Sequence, residues 1–368
     1  MRVEELSLTS FRNYSSGKVS FSPGLNYVVG KNGEGKTNLL EALFILATTK
    51  SHRQALDKDM VKIGEGRFRV SARIIALGVD RNLGLGYDVA LKKKVANVSG
   101  FPVTKLQDFI GILNVVMFSP EDLALVKGTP SDRRRFLDIL LCQVDKVYFR
   151  LLQQYTHVLR QRNEALKLIA RGAIKLFDLK PWDQQFAALA QRITLRRFQA
   201  TERLAASFLN LTDAINRGKE TLSIAYSSSL LTTTAGLDVE GVARELERHQ
   251  REDLKRGTSS IGPHRDDLKF LINGLPAAAY ASQGQQRTAV LGLKLAELKY
   301  MQEVTGDYPV LLLDDVLSEL DSSRRQMIVQ VLMSDVQAVI TGTDENDLSL
   351  QGVKPARVLR VERGKVVF

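Results

Sequence analysis

Through the first hundred residues the apolar positions fall in short runs. Val3 to Leu8 alternates loosely and reads as a strand, and Leu25 to Val29 is a compact apolar run that stops at Gly30. Positions 39, 40, 43 and 46 are then apolar, with Ala42 and Ile45 filling in, so the spacing predicts a helix over Leu39 to Leu46. Residues 68 to 103 return to strands and turns, with Lys92, Lys93 and Lys94 at the tip of a hairpin. From Ser131 to about Glu220 the period lengthens. Phe136, Leu140, Val144, Val147, Leu151 and Tyr155 recur at spacings of three and four, which is the apolar stripe of helices. Gly172 and the Lys180-Pro181 step interrupt the stripe, so the segment is a set of helices and not one coiled coil. Strand character returns at "LSIAYSSSL", followed by a charged helix over Val239 to Lys255. The end reads strand, helix, strand: "YPVLLLDD", "SSRRQMIVQVL", "VQAVITGT".

Composition changes this picture in one respect. The formal net charge is +11, and residues 131 to 220 alone hold 17 Lys and Arg against 9 Asp and Glu. A basic chain points to a polyanionic partner, most simply nucleic acid. No stretch has the length or apolarity of a membrane span or a signal peptide, so the expectation is a cytoplasmic protein associated with the nucleoid and not with a membrane. The single cysteine, Cys142, excludes an internal disulfide and sits among leucines as a core thiol.

The chemistry begins at "GKNGEGKT", Gly30, Lys31, Asn32, Gly33, Glu34, Gly35, Lys36 and Thr37. It matches G-x-x-x-x-G-K-[ST] between a strand and a helix, the context that a phosphate-binding loop requires. The glycines let the backbone turn tightly and aim N–H groups at phosphates. Lys36 would reach the β- and γ-phosphates of ATP, and Thr37 would hold Mg²⁺. "PVLLLDD" is an unbroken apolar run, as expected of a parallel strand buried on both faces. Asp314 at its end would hold Mg²⁺ through water, and Asp315 would polarise the attacking water. "SQGQQR" is a capping box, Ser282 with Gln285 three residues on, and its exposed N–H groups around Gly284 are also a phosphate site.

The order of these motifs, with "SELD" (Ser318 to Asp321) directly after the aspartates, resembles the ATP-binding-cassette ATPases. In that family the signature helix of one subunit caps the γ-phosphate held by another. The resemblance narrows with "LTSFRNY", "GKNGEGKTNLLEAL", "KSHR", "MFSPEDLALVKGTPSDRRRFLD", "GPHRDDL", "SQGQQRT" and "LLLDDVLSELD". Together these look like the RecF family of bacterial recombination mediators, relatives of the SMC-type ATPases.

The resemblance implies an α/β cassette ATPase head from residues 1–125 and 256–368, with a mainly helical arm over 126–255. It implies ATP-dependent head-to-head dimerisation, weak DNA-stimulated hydrolysis, duplex and gapped DNA held by its backbone, and work with RecR and RecO to load RecA. By position it makes Lys36, Asp314, Asp315 and Ser282 catalytic, Ser282 acting in trans, and it brings Arg12 and Asn13 of "FRNY" to the nucleotide. The sequence departs from the wider superfamily where Asp315 replaces a glutamate and "VITGTDEND" lacks the switch histidine, so slow turnover is expected.

Arg133, Arg134 and Arg135, Lys92 to Lys94, and the Arg196-Arg197 pair are the candidate DNA contacts. Phosphate contacts of this kind are salt-dependent and poor in sequence preference. "GPHRDD" reads as a polar turn with an internal Arg–Asp pair and no transition metal. Two other classes fit the phosphate loop: a small-molecule kinase or hydrolase, which leaves "SQGQQR" and "SELD" unexplained, and a transport-coupled ATPase subunit, which the basic arm argues against. A DNA-end protein that only binds ATP is disfavoured by the intact Lys36, Thr37, Asp314 and Asp315.

Overall fold

The computed structural model describes residues 1–216, 218–230, 237–317, 321–332, 335–344 and 354–367. Its middle layer is a six-stranded sheet in the order β15-β14-β3-β13-β12-β8. Here β3 (Leu25–Val29), β8 (Val115–Phe118), β12 (Val310–Leu313), β13 (Ala338–Gly342) and β14 (Arg357–Glu362) run parallel, and β15 (Lys365–Val367) is antiparallel at the edge. Side chains alternate between two cores. Tyr27, Val116, Leu311, Leu313 and Ile340 face a helical layer. Val28, Val115, Met117, Leu312 and Val339 face the opposite side. Burial on both faces is why the sequence of β12 is uninterrupted Val-Leu-Leu-Leu.

On that opposite side lies an antiparallel sheet in the order β2-β1-β4-β5-β6-β7. Its strands are β1 (Arg2–Phe11), β2 (Tyr14–Ser20), β4 (Arg67–Ala76), β5 (Val79–Asp88), β6 (Lys93–Val98) and β7 (Phe101–Val103). Helix α1 (Lys36–Thr48) shares a core with both sheets and is buried almost throughout. The strands alternate cleanly because one face meets this core and the other meets water; β4, for example, alternates buried and more exposed residues along its length.

The helical layer holds α2 (Ala124–Lys127), α3 (Pro130–Val144), α4 (Lys146–Ala170), α5 (Lys180–Asn216), α6 (Val239–Arg256), α7 (Ala277–Tyr280), α8 (Gln283–Thr305) and α9 (Ser322–Leu332). The expected stripe from Phe136 to Tyr155 is split at Asp145. That side chain accepts hydrogen bonds from the N–H groups of Val147 at 2.8 Å and Tyr148 at 2.9 Å, which caps α4. A third sheet, β11-β10-β9, joins β9 (Leu222–Ser227) to β10 (Asp267–Ile272) and β11 (Leu275–Pro276). The division expected at residue 255 therefore falls between two strands of one sheet. The helices of the 126–255 segment also share a core with α8 and the central sheet. Strands β14 and β15 were not anticipated from the pattern. Their alternation is short and sits after a segment with no periodic signal.

Candidate functional site

The loop between β3 and α1 is held by its carbonyls. The Asn13 side-chain amide donates to the Glu34 carbonyl at 2.9 Å, and the Tyr14 hydroxyl donates to the Gly35 carbonyl at 3.0 Å. The Gly364 N–H, in the turn between β14 and β15, donates to the same Glu34 carbonyl at 2.9 Å. Two separate elements, the β1–β2 turn and the β14–β15 turn, thus fix the loop's carbonyls. Of its N–H groups, Gly30 donates to the Gly342 carbonyl and Glu34 to the Lys31 carbonyl, leaving others available to an anion. Gly35 has φ +118°, and a Cβ there would lie 2.6 Å from the Asn13 amide, so only glycine fits. Helix α1 has no side-chain cap and no acid in its first turn, as a helix that receives phosphate needs. Lys36 is buried and donates to the carbonyls of Gly30 at 2.8 Å and Lys31 at 3.3 Å.

Strand order brings the carboxylates to this loop. Thr37 Oγ1 donates to Asp314 Oδ1 at 2.9 Å. Between β3 and β12 runs β13, and its Thr341 Oγ1 donates to the same oxygen at 2.9 Å. A hydroxyl has one proton, so its 3.3 Å approach to Asp315 Oδ1 is the alternative direction of the same bond. Thr341 Oγ1 also accepts from the Asp315 N–H at 2.8 Å. Asp315 adopts φ +50°, a strained conformation for a non-glycine residue, held by that bond. Burial raises the Asp314 carboxyl above its ordinary range, against the pull of the Thr341 and Thr37 hydrogen bonds, and Asp315 adds to the rise. A hydroxyl and a carboxylate converging beside a phosphate loop form a hard-oxygen donor set that fits Mg²⁺. Thr341 appeared in the sequence only as a residue standing where no histidine was found.

Ser282 is the N-cap of α8. Its Oγ accepts from the Gln285 N–H at 3.3 Å, and its own N–H donates to Gln285 Oε1 at 2.6 Å, a closed capping box. Gln285 Nε2 donates to Glu220 at 2.5 Å. The Gly284 carbonyl accepts from Arg324 at 2.7 Å, and Arg324 also donates to Thr288 Oγ1 at 2.9 Å and pairs with Asp321. Arg324 therefore ties this turn to the segment after Asp315, a role the sequence did not reveal. Of "SELD", residues 318–320 lie outside the described residues. Ser282 itself is exposed, and the described partners of its turn belong to α8, α9 and Glu220.

Other candidates have partners within the chain. Arg12 makes a two-pronged ion pair with the fully buried Glu41 of α1, at 2.7 and 2.6 Å, and donates to the Asp59 carbonyl at 2.8 Å. It holds the phosphate-loop helix from behind. Burial pushes the Glu41 carboxyl upward, but Arg12 and Ser51 outweigh it and hold it below its ordinary range. The arginine triplet faces inward: Arg133 pairs with Asp267 at 2.7 Å, Arg134 donates to the Asp266 carbonyl at 2.8 Å, and Arg135 donates to the Ser51 carbonyl at 2.7 Å. Arg197 is buried against Asp138 at 2.7 Å, and Arg196 lies 3.1 Å from Asp145. Lys94 pairs with Asp57 at 2.7 Å, while Lys92 and Lys93 are exposed at the β5–β6 turn. In "GPHRDD" the Arg–Asp pairing is not internal: Asp267 meets Arg133, and Arg265 donates to the Ser259 carbonyl at 3.1 Å.

A family model described as the RecF/RecN/SMC N terminal domain matches residues 2–366. A DNA replication and repair protein RecF from Halalkalibacterium halodurans is 42% identical over 371 residues, covering 100% of this chain and 99% of the relative. Another RecF, from Symbiobacterium thermophilum, is 42% identical over 377 residues, covering 100% and 98%. A solved structure of the recombination mediator protein RecF with ATP, in the RecFOR pathway, superposes with TM-score 0.92 at 36% identity, over 99% of this chain and 96% of that one. An Smc head domain derived from Pyrococcus furiosus, bound to the C-terminal domain of ScpA, superposes with TM-score 0.54 at 15% identity over 99% and 95%, a likeness of fold alone.

Proposed function

The chain belongs to the RecF/RecN/SMC N-terminal family, and we propose that it is an ATP-driven switch of recombinational DNA repair. The observation that carries this reading is the convergence of Thr37, Asp314 and Thr341 on one oxygen beside the phosphate loop, while the phosphate-type turn at Ser282 stays exposed. ATP binds with its phosphates on the N–H groups of residues 30–37 and on Lys36. Thr37 and Asp314 would hold Mg²⁺, which when bound would supply charge to the phosphates. Asp315 orients the attacking water, and Thr341 fixes the Asp314 carboxylate and the backbone of Asp315. Ser282 of a second copy closes the γ-phosphate, so ATP joins two heads. The carboxylate at 315 is one methylene shorter than a glutamate, and no histidine follows β13. Both favour slow hydrolysis, which suits a timer for how long the dimer stays on DNA.

DNA, duplex or gapped, is held by backbone phosphates, with Lys92 and Lys93 the exposed members of the original candidates. RecR and RecO are the partners, by the pathway named for the ATP-bound RecF structure, and the family resemblance adds RecA as the protein loaded. Such work belongs to the cytoplasm, at the nucleoid; no described helix is long and apolar enough to cross a membrane. The test is fluorescence anisotropy of labelled gapped duplex with ATP and with ADP. Tighter binding with ATP in the wild type, and no nucleotide dependence in Lys36→Ala, is the expected pattern. Equal binding with both nucleotides in the wild type contradicts the switch.

A further inference from the structure

A cavity of about 540 Å³ opens where the C-terminal end of α1 meets α3 and α4. It is separate from the phosphate loop. Helix α1 begins at Lys36 and lines the cavity only at Thr48, its last residue, about 18 Å along its axis. The volume is that of a site for a small organic molecule. Its apolar wall includes Ile110, Ile139, Phe149 and Leu152.

Two features give the cavity a sign and a polarity. Lys50 and Arg160 line it and are exposed at its rim, and their charged side-chain groups have no hydrogen-bond or ion-pair partner among the described residues. The one acid in the lining, Asp138, is engaged by Arg197 at 2.7 Å and by the Tyr148 hydroxyl. The cavity is therefore net positive. Gln143 lines it at 3% exposure. Its Oε1 accepts from the Val115 N–H at 2.9 Å, which fixes the amide orientation, and its Nε2 is buried with no partner. A buried donor left unmade is costly in a folded protein.

We propose that this cavity is a second ligand site, for a small organic anion with an aromatic or aliphatic body. The body lies on Ile139, Phe149 and Leu152, and the charge meets Lys50 and Arg160. The site does not depend on the ATP reading, since none of its residues belongs to the phosphate loop or the carboxylate cluster.

The probe is 8-anilinonaphthalene-1-sulfonate, an aromatic body carrying one anion, titrated into the full chain by fluorescence. One saturable site per chain is expected, and excess ATP does not displace the probe. Arg160→Glu, an exposed change that leaves the fold alone, weakens it about tenfold by replacing attraction with repulsion. Leu152→Trp fills the cavity and abolishes saturable binding. The only cysteine, Cys142, lines the same cavity, so bound probe slows its alkylation. Binding that is unsaturable, displaced by ATP, or indifferent to both substitutions overturns the proposal, as does Cys142 alkylation at an unchanged rate.

Discussion

Thr37 and Thr341, on opposite sides of the β3–β13 pairing, donate to the same oxygen of Asp314, each at 2.9 Å. Thr37 belongs to the phosphate loop, so the nucleotide site is built by strand order and not by sequence proximity. A change at Thr341 should reach hydrolysis without touching the phosphate-binding groups.

Thr341→Val tests that directly. Valine keeps the shape and removes the hydroxyl, so Asp314 loses a donor and the Asp315 N–H loses its acceptor. Hydrolysis is expected to fall about 10- to 100-fold, as for other residues that orient a metal-site ligand. ATP affinity, measured by calorimetry, should stay within a few-fold. A large loss of affinity with unchanged turnover would place Thr341 in nucleotide binding instead.

Arg12→Ala removes the partner of a fully buried carboxylate. Breaking a buried pair from one side leaves an uncompensated charge and costs about 3–5 kcal/mol. Chemical denaturation should show this loss, and Glu41→Gln in the same background should recover part of it. No recovery would mean that Arg12 stabilises the fold by packing alone.

Acid should destabilise the protein partly through His52. Burial lowers this imidazole to about 4, and both ring nitrogens are buried without hydrogen-bond partners. A histidine depressed in the folded state is protonated first in the unfolded chain. Stability is therefore intact above about 6.5 and falls as pH drops towards 4, by up to about 3 kcal/mol from this group. The stability difference between wild type and His52→Gln, compared at pH 7 and pH 4.5, should shift in favour of the variant at the lower pH. A difference independent of pH would contradict the assignment.

Much of this was legible in the chain. Leu25 to Val29, Leu39 to Leu46 within the 36–48 helix, and Val310 to Leu313 carry apolar runs whose burial is set locally, and the glycine pattern at 30–35 marks the phosphate loop. What was illegible depended on distant partners. Arg133 to Arg135 read as a basic face because their acceptors, Asp267, Asp266 and Ser51, lie far along the sequence. Arg12 met Glu41 for the same reason. The apolar stripe from Phe136 to Tyr155 runs past Asp145 without a break, and only the structure shows this carboxylate capping the next helix.

Ser282 is where the proposed switch stands or falls. The measurement is solution mass by light scattering with ATP and Mg²⁺, with ADP, and without nucleotide, for wild type and Ser282→Arg. Wild type should have about twice its 41.0 kDa mass with ATP only. The exposed arginine should block that dimer while ATP remains bound. A wild-type monomer that holds ATP, or an ATP-induced dimer of Ser282→Arg, would contradict a γ-phosphate read in trans.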